Sequence, residues 1–456
     1  MAYNVEQQTT GVQGAGDEII FVVRDTTNFA EPKYRYICRI SVDGNVVIKL
    51  KQLPNNANCA VFNVRDIARA YVYQDDNPYS LGAETLDGTA DTTEIFATNT
   101  HAIKNIELRF GYEYAVDASA PPTETLLPAT DKEVPLVNGS FFLPGDTYPL
   151  VNGANQYLMT NSSKLFLSDA MLDGSEVPMR VASDNRAALA FLSGNDVGST
   201  GPVWMHITYY NGDTQLSTSA IQNTTANGGY PPGSTTDTTR WLLYVGVGPY
   251  NLENQTINAT VKPSNNAGWT RYEIQMASSN ILSGNETSRA YNFVQVPCSR
   301  YFETAHAYTL HWWNSKGGVD NLVCAGKVVQ SQETNRQDYR VKGGNAFDAN
   351  GVTVDYANRS YQGGRRSGRV QTTTKLKLTI NEFDPDLYTP LIQSLLNSER
   401  VYLSGSGDFG LNVSRFDEGV VQAYVTDTQM EYLSGVNDQA AAYTINVEIS
   451  RRRPNP

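Results

Sequence analysis

Apolar and polar residues alternate with a period of two along much of the chain, a pattern typical of strands with one buried face. The alternation is clearest in residues 106–114 and 443–449. Segments with the same pattern, or with a run of apolar β-forming residues, predict further strands at 19–23, 34–42, 203–210, 241–247, 272–276, 291–296 and 369–380. The predicted fold class is therefore mainly β, with multidomain antiparallel β-sandwiches and two short helices.

Residue pairs that favour tight turns lie beside several of these strands. Asp43-Gly44 separates two strand candidates, and Asn211-Gly212 follows another. Such pairs adopt the positive backbone angles that two-residue hairpin turns require. We expect a hairpin turn at each pair.

The segment 308–324 predicts a rigid hairpin corner in which an aromatic strand turns into an apolar one. Gly317 and Gly318 permit unusual backbone angles in the turn, and Asn314 and Asp320 are placed to bond its amides. The aromatic strand ends in the pair formed by residues 312 and 313.

These two residues, Trp312 and Trp313, are interaction candidates because exposed indole rings stack on sugars. Adjacent strand residues face opposite sides, so at least one of the two is expected to face the core. A packing role is therefore preferred over a sugar-stacking platform.

Two short helices are predicted. Asn63 is placed to cap the first, whose apolar face is formed by Val64, Ile67, Ala68 and Tyr71. The second is expected over residues 390–397, with the residue before it as N-cap and a proline in the first helical position.

A start of this second helix at Asp384 is the alternative. It would place Pro390 inside the helix, where the missing N–H and the ring cost about 3 kcal/mol. The later start, with Thr389 as N-cap, is therefore preferred.

Polar segments rich in Asp, Asn, Thr, Gly and Pro predict long loops at 75–100, 117–163 and 211–238. The glycine-rich start of the chain, residues 1–16, is expected to be a flexible arm. The resulting division is a β-sandwich domain with this arm (1–120), an acidic insertion (121–200), a second β domain (201–330) and a C-terminal β domain with one helix and a basic tail (331–456).

Charge is unevenly distributed along the 456 residues, which carry 47 acidic and 35 basic side chains and a net charge of −12. Residues 1–299 contain 30 acidic and 18 basic groups, and residues 300–456 contain 17 of each. Phosphate would be repelled by the acidic part, so direct nucleic acid contact is not expected there.

Two arginine clusters in the last third are further interaction candidates: Arg365, Arg366 and Arg369, and Arg451, Arg452 and Arg453. The first lies in a Gly-rich segment and is interpreted as a solvated hairpin loop, or one facing an acidic neighbouring subunit, in preference to a phosphate contact. The second forms a tail suited to salt bridges between subunits.

Catalytic and metal-binding motifs are missing from the sequence. Cys38, Cys59, Cys298 and Cys324 show no C-x-x-C spacing and are expected to be reduced core residues. The four histidines form no metal-ligand motif, and neither a nucleophile elbow nor a phosphate loop occurs. We expect no cofactor, no metal site, no catalytic residues and no enzymatic activity.

Membrane insertion and secretion are not expected either. No run of about 18 apolar residues occurs, and the first residues have neither the basic end nor the apolar stretch of a secretory signal. We therefore expect a chain that is made without a signal peptide and does not span a membrane.

Several segments carry a family resemblance: residues 34–44 (YRYICRISVDG), 61–67 (VFNVRDI), the turn from Asn314 to Asp320, and the C-terminal segments 389–398 (TPLIQSLLNS), 401–403 and 443–447. They resemble virion proteins of tailed bacteriophages of Bacteroidota and related marine hosts, including crAss-like phages. The resemblance covers both ends of the chain and leaves the acidic middle unmatched.

The resemblance implies a non-enzymatic structural subunit of the tail or collar, a ring, hub or tail-associated component. It implies assembly in the host bacterial cytoplasm, as a homo-oligomeric ring with tail, portal or adaptor subunits, and a final location in the tail region of the virion. It carries over no catalytic residues.

Alternatives remain open from the sequence. One is a receptor-binding or carbohydrate-binding tail module that contacts a host surface glycan, because the chain contains 27 tyrosines. Another is a capsid decoration or head-fibre protein, and a depolymerase ranks last.

Overall fold

The structure is a computed structural model. It describes residues 3–73, 80–81, 84–85, 95–98, 101–141, 154–172, 175–183, 185–193, 202–224, 242–296, 308–326, 328–341, 364–383, 385–404, 420–427 and 441–449. The protein is mainly β, and nearly all of its strand pairs are antiparallel.

The first part of the chain contains twelve described strands and one helix. These are β1 (Tyr3–Gln8), β2 (Gln13–Gly14), β3 (Ile20–Asp25), β4 (Arg35–Val42), β5 (Asn45–Gln52), β6 (Cys59–Asn63), α1 (Arg65–Tyr71), β7 (Ser80–Leu81), β8 (Glu84–Thr85), β9 (Phe96–Thr98), β10 (Ile103–Tyr114), β11 (Thr123–Leu126) and β12 (Lys132–Val137).

The middle of the chain contributes nine described strands and a second helix. These are β13 (Met171–Leu172), β14 (Ser175–Glu176), β15 (Met179–Val181), β16 (Ala188–Leu192), β17 (Trp204–Asn211), β18 (Thr214–Gln222), β19 (Leu242–Gly246), α2 (Pro249–Asn254), β20 (Arg271–Ala277) and β21 (Tyr291–Gln295).

The last part contains β22 (Tyr308–Trp313), β23 (Val319–Cys324), β24 (Val329–Val341), β25 (Gly364–Phe383), α3 (Pro385–Asn397), β26 (Val401–Ser404), β27 (Val420–Val425) and β28 (Ala441–Ile449). Short 3-10 turns occupy Pro128–Thr130, Asn155–Tyr157, Ala259–Val261 and Pro263–Asn265.

The N-terminal part of the chain forms a β-sandwich. The sheet β1-β3-β6 faces the sheet β2-β12-β10-β4-β5, whose strand β10 also pairs with β11. Side chains from both sheets share one core, in which the rings of Phe21 and Phe62 lie 5.5 and 6.0 Å from that of Phe110. Burial of these alternating apolar positions is the main favourable term in the stability of such a sandwich.

A second, larger core is formed by three more sheets together with α3. Their strand orders are β15-β21-β20-β17-β18, β16-β19-β9 and β23-β22-β26-β27-β28-β25-β24. Strand β12 follows residue 120 and still pairs with β10 of the first sandwich. The four predicted domain boundaries remain predictions.

Several local predictions are confirmed. Strands occur at every predicted strand segment. Asp43 and Gly44, with φ of 47° and 79°, form a two-residue turn between Val42 and Asn45, which are paired in register. Gly212 has a φ of 56° in the turn between β17 and β18.

The flexible-arm prediction for residues 1–16 is wrong for the described part of that segment. Strand β1 pairs with β3, and Val12, Gln13 and Ala15 are buried. A Cβ on Gly14 would lie 2.4 Å from the carbonyl oxygen of Gly139. The glycine therefore permits close backbone packing, whereas glycine-rich composition had suggested flexibility.

All three predicted loops contain strands, and the segment predicted as loop 75–100 includes β9 (Phe96–Thr98), which pairs with β19. Thr214–Gln222 is β18, in the segment predicted as loop 211–238, and Lys132–Val137 is β12, in the segment predicted as loop 117–163. Strand β18 is rich in polar residues and β12 contains a proline, and they pair with β17 and β10 respectively. Tertiary pairing thus overrides their weak local preference.

The C-terminal helix begins earlier than predicted. It runs over Pro385–Asn397 with Pro390 inside it. The earlier start brings Tyr388 into the helix, and its hydroxyl donates to the carbonyl oxygen of Pro178 at 3.0 Å. Burial of Tyr388 and of Leu391, Ile392 and Leu395 offsets the proline penalty of about 3 kcal/mol, since each buried apolar side chain contributes about 1.5–3 kcal/mol.

The N-terminal helix occurs at the predicted place, with Val64 as N-cap and Ala68 buried. Asn63 lies one residue earlier and accepts from the Arg65 amide at 3.1 Å. In addition, the described residues include α2, a six-residue helix that starts at Pro249 and was not predicted.

Candidate functional site

The hairpin corner between β22 and β23 is held by Asn314, one of the two residues predicted to bond its amides. The Asn314 side-chain oxygen accepts from the amides of Lys316 at 3.0 Å and Gly318 at 2.8 Å. Gly317 adopts a φ of 83°, in the left-handed region that favours glycine. A Cβ on Gly318 would lie 1.7 Å from the Leu167 carbonyl oxygen, so this glycine permits the close approach of another segment.

Six polar side chains gather behind this corner and form what we call the junction cluster: Ser168, Asp169, Asn314, Lys316, Asp320 and Ser394. They come from the segment before β13, from the β22–β23 hairpin and from α3. All six are buried or half-buried.

Lys316 and Asp169 form an ion pair at the centre of the cluster. Asp169 also accepts from the Ser394 hydroxyl at 2.5 Å and the Ser315 hydroxyl at 3.1 Å. Burial acts to raise the pKa of Asp169, but the Lys316 ammonium holds it below its ordinary value. Burial acts to lower the pKa of Lys316, and the Asp169 carboxylate raises it above its ordinary value, so both groups are charged near neutral pH.

Asp320 is the second carboxylate of the cluster. It accepts from the Ser168 hydroxyl at 2.5 Å, the Asp169 amide at 2.8 Å and the Asn314 side-chain amide at 2.9 Å. Burial, together with the charge of Asp169, raises the pKa of Asp320 to about 6. The prediction that Asp320 bonds the amides of its own turn is wrong, because its partners lie on the Leu167–Asp169 segment and on Asn314.

The junction cluster also meets the chain as it leaves the first sandwich. The amide of Ser140 donates to the carbonyl oxygen of Ser315 at 2.7 Å. A Cβ on Gly139 would lie 2.5 Å from the backbone of Lys316. The corner therefore contacts the end of the first sandwich, the Leu167–Asp169 segment and α3 at once.

The chemistry of the cluster favours a structural role. A lysine acting as a base needs a lowered pKa, whereas the pKa of Lys316 is raised. The Ser168 hydroxyl and both carboxylates are engaged in hydrogen bonds with neighbouring groups. Such a buried, mutually satisfied network fixes the relative position of the elements that contribute to it.

Trp312 and Trp313 are both buried, at 0% and 6% exposure. The Trp312 ring nitrogen donates to the Ser394 hydroxyl at 3.0 Å, which connects it to the junction cluster. The Trp313 ring meets Tyr244 edge to face, with centroids 5.7 Å apart. Neither indole presents a ring face on which a sugar could stack, and both positions agree with the preferred packing interpretation.

The described cysteines and histidines are largely core residues. Cys38, Cys59 and Cys324 are free and buried, and Cys298 lies outside the described residues. His311 is buried, its ring nitrogen lies 2.7 Å from the Ser404 hydroxyl, and burial lowers its pKa to about 3. Within the described ranges, no group of three His, Cys, Asp or Glu side chains could hold a metal ion.

The first arginine cluster lies in a strand, so its interpretation as a hairpin loop is wrong. Arg365, Arg366 and Arg369 belong to β25 and are opposite Arg340, Tyr339 and Gln337 of β24. Gly368 is the extra residue of a β-bulge at this point, which explains how a Gly-rich segment continues as a strand. Arg451, Arg452 and Arg453 lie outside the described residues.

Strands β24 and β25 form a long hairpin-like pair, which we call the ribbon. Strand β28 pairs with β25 from Thr374 onward, opposite Ile449. Before Thr374, β24 is the one strand that pairs with β25 among the described residues. Residues 364–373 therefore form a two-stranded extension about 34 Å long at about 3.4 Å per residue.

Every side chain of β24 from Val329 to Tyr339 is exposed. A strand that packs one face on its own chain shows alternating burial, as β25 does at Leu376, Leu378 and Ile380. This alternation is missing along β24, so both of its faces are open in the isolated chain.

Sequence reasoning missed the junction cluster as a site, apart from Asn314 and Asp320. Ser168 and Asp320 are 152 residues apart in the sequence, and no spacing rule connects them. One signal was present, because Asp320 stands with Asn321 inside the mainly apolar strand β23, and a carboxylate in a buried strand requires partners.

No protein-family model matches the chain, and no curated protein matches it. Among solved structures, it is similar to a marsupial T cell receptor with 7% identity and a TM-score of 0.16, over 82% of this chain and 96% of that one. It is also similar to extracellular domains 3–5 of Drosophila OTK with 10% identity and a TM-score of 0.18, over 83% and 92% of the two chains.

None of the helices in the described ranges is long and apolar enough to cross a membrane.

Proposed function

We propose that this chain is a structural virion protein of a tailed bacteriophage, an assembly subunit of the tail or collar region. Its partners in this proposal are further copies of itself in a ring, and tail, portal or adaptor subunits. It is assembled in the cytoplasm of the host bacterium and resides in the tail region of the virion.

The observation that carries the proposal is the ribbon. A two-stranded hairpin is marginally stable by itself in water, and a third strand or a packed face is needed to support it. Both faces of β24 are open from Val329 to Tyr339. Such an extension suits a subunit that is completed by a neighbour.

The junction cluster supports the same proposal. It fastens the first sandwich, the hairpin corner and α3 to one another through buried hydrogen bonds and an ion pair. Elements fastened to one another, together with an exposed strand pair, suit an assembly subunit, which has to place its contact surface accurately. The resemblance of both chain ends to phage virion proteins adds to this.

The glycan-binding alternative loses the two residues named for it, because Trp312 and Trp313 are buried. The capsid decoration or head-fibre alternative differs in position on the particle, so the same imaging experiment separates it from a tail or collar subunit.

Immunogold electron microscopy tests the proposal. Antibodies raised against the purified chain are applied to phage particles whose genome encodes it, with particles of an unrelated tailed phage as control. We expect label at the tail or collar. Label on the capsid would replace the proposal by the decoration alternative, and particles without label or detectable peptide in mass spectrometry would overturn it.

A further inference from the structure

We infer that the ribbon docks on the acidic part of a second copy of this chain. The inference rests on the proposed function, because it names one of the partners of the assembly subunit. It starts from the exposed side chains of β24 between Val329 and Tyr339 and from the outer edge of that strand, which pairs with no other strand among the described residues.

The exposed faces are the first step. Val329 and Tyr339, at the two ends of the fully exposed stretch, are 43% and 53% exposed. The outer edge of β24 has no partner strand among the described residues, since β24 is the last strand of the seven-stranded sheet. An edge of this length offers backbone donors and acceptors to a neighbour.

The charge of the ribbon is the second step. Its two-stranded part, residues 332–341 and 364–373, carries five arginines and two acidic residues. Residues 1–299 of the same chain carry 30 acidic and 18 basic side chains. The two surfaces are complementary in sign, which favours encounter and register between copies.

The register of the ribbon is the third step. Arg340 and Arg365 are directly opposite each other across the two strands. The register therefore brings basic residues of both strands to the same end of the ribbon. The ribbon is therefore better suited to an acidic partner than to solvent.

The proposed ring limits the symmetry of the contact. Two different surfaces of one chain can meet reciprocally in a two-fold dimer or repeat head to tail. A repeated head-to-tail contact closes into a ring when the rotation allows it, so the proposed function requires this arrangement.

Charge reversal in the full-length chain tests the contact. The triple variant R336E/R366E/R369E is compared with the wild type by sedimentation velocity over a range of concentrations and salt. We expect the wild type to associate beyond a dimer and to dissociate with added salt. The variant should associate roughly ten-fold more weakly or worse, because reversed charges now repel the acidic surface.

The matched control is R65E/R69E/K262E, which changes the net charge equally at sites away from the ribbon. Because these three positions lie in residues 1–299, the variant makes that part more acidic and should associate at least as tightly as the wild type. Equal weakening by both triple variants would overturn the inference, as would a wild type that stays monomeric, stops at a dimer or ignores salt.

A photo-crosslinker gives a second readout that does not depend on the stability of a charge variant. With p-benzoylphenylalanine in place of Tyr339, crosslinked peptides should come from residues 1–299 of another copy. Crosslinks confined to other regions would contradict the inference. Retention of duplex DNA by the wild type and not by R336E/R366E/R369E, without self-association, would assign the ribbon to nucleic acid instead.

The two proposals fail in different ways. If immunogold label is present on the particles and the ribbon makes no contact between copies, the inference falls and the proposed function stands. If ribbon-dependent association occurs and the particles carry no label, the proposed function falls and the contact remains a property of the chain alone.

Discussion

The two edges of the seven-stranded sheet use polar residues in opposite ways. At one edge, all residues of β22 and β23 are buried, and the polar ones among them include Asp320, which belongs to the junction cluster. At the other edge, β24 is exposed from Val329 to Tyr339. Polar groups that are satisfied inside the chain hold it together, whereas an exposed polar strand can be contacted by a partner.

The difference shows why polarity alone does not reveal a role. Asp320 in β23 and Asp338 in β24 are both carboxylates in strands, yet the first is 1% exposed and the second lies in the exposed stretch. The hydrogen bonds and ion pair of the cluster make substitutions there costly for folding. Substitutions on the ribbon should affect association instead.

The largest effect is expected at the ion pair. Lys316→Met leaves the buried Asp169 carboxylate without its cation and should lower the free energy of unfolding by about 3–5 kcal/mol. Urea unfolding followed by tryptophan fluorescence measures this, since all five tryptophans follow residue 200 and none lies in the first sandwich. Lys262→Met, at a half-buried lysine outside the cluster, should change it by less than about 0.5 kcal/mol. Similar losses in both variants would contradict a structural role for the pair.

The next effect depends on pH. Because the pKa of Asp320 is raised to about 6 in the folded chain, the folded state binds more protons than the unfolded state, and stability falls as pH rises from about 4 to 6. Asp320→Asn removes this dependence. The stability of the wild type relative to that variant should therefore fall by about 2–3 kcal/mol between pH 4 and pH 7.

Urea unfolding at several pH values measures that difference. Asp66→Asn, at an exposed carboxylate on α1, is the control and should differ from the wild type by less than about 0.5 kcal/mol throughout. A wild-type advantage over Asp320→Asn that stays constant with pH would show that Asp320 does not titrate in this range.

An effect of comparable size is expected at the hairpin corner. Gly318→Ala places a methyl group against the Leu167 carbonyl and should lower stability by about 2–3 kcal/mol. Gly284→Ala, where the added methyl meets no neighbour but the φ is 79°, should lose about 1 kcal/mol from backbone strain. Thermal unfolding of both variants checks the comparison, and equal losses would remove the close-packing argument for Gly318.

The smallest effect on folding is expected on the ribbon. Tyr339→Ser should change the free energy of unfolding by less than about 0.5 kcal/mol, because the side chain is exposed. Tyr272→Ser should lower the free energy of unfolding by about 3–5 kcal/mol, because Tyr272 is buried and its hydroxyl donates to the Val247 carbonyl at 2.9 Å. A large loss from Tyr339→Ser in the monomer would mean that the ribbon helps to hold its own chain.

Much of the fold could be predicted because strand alternation and hairpin turns are local. Residues 106–114 and the Asp43-Gly44 turn needed no information from distant parts of the chain. The start of α3 could not be predicted in the same way. The sequence around the helix reveals the cost of Pro390 inside it. It does not reveal the compensating contact of Tyr388 with Pro178, because that residue lies 210 positions away.

The ribbon shows the same limit. Glycine next to arginine favoured a loop at 363–369, and pairing with β24 makes residues 364–369 part of a strand with a bulge at Gly368. The sequence did identify the arginines as interaction candidates, since clustered charge is visible without a structure.

By itself, the sequence determined the β class, the tight turns, the buried cysteines described and the separation of acidic and basic regions, because these follow from local spacing and from counting. Only the tertiary structure decided which polar residues are internal and which face outward. Burial and hydrogen bonding depend on neighbours that can lie more than 100 residues away, as Ser168 and Asp320 do. The junction cluster and the open ribbon are consequences of that long-range packing.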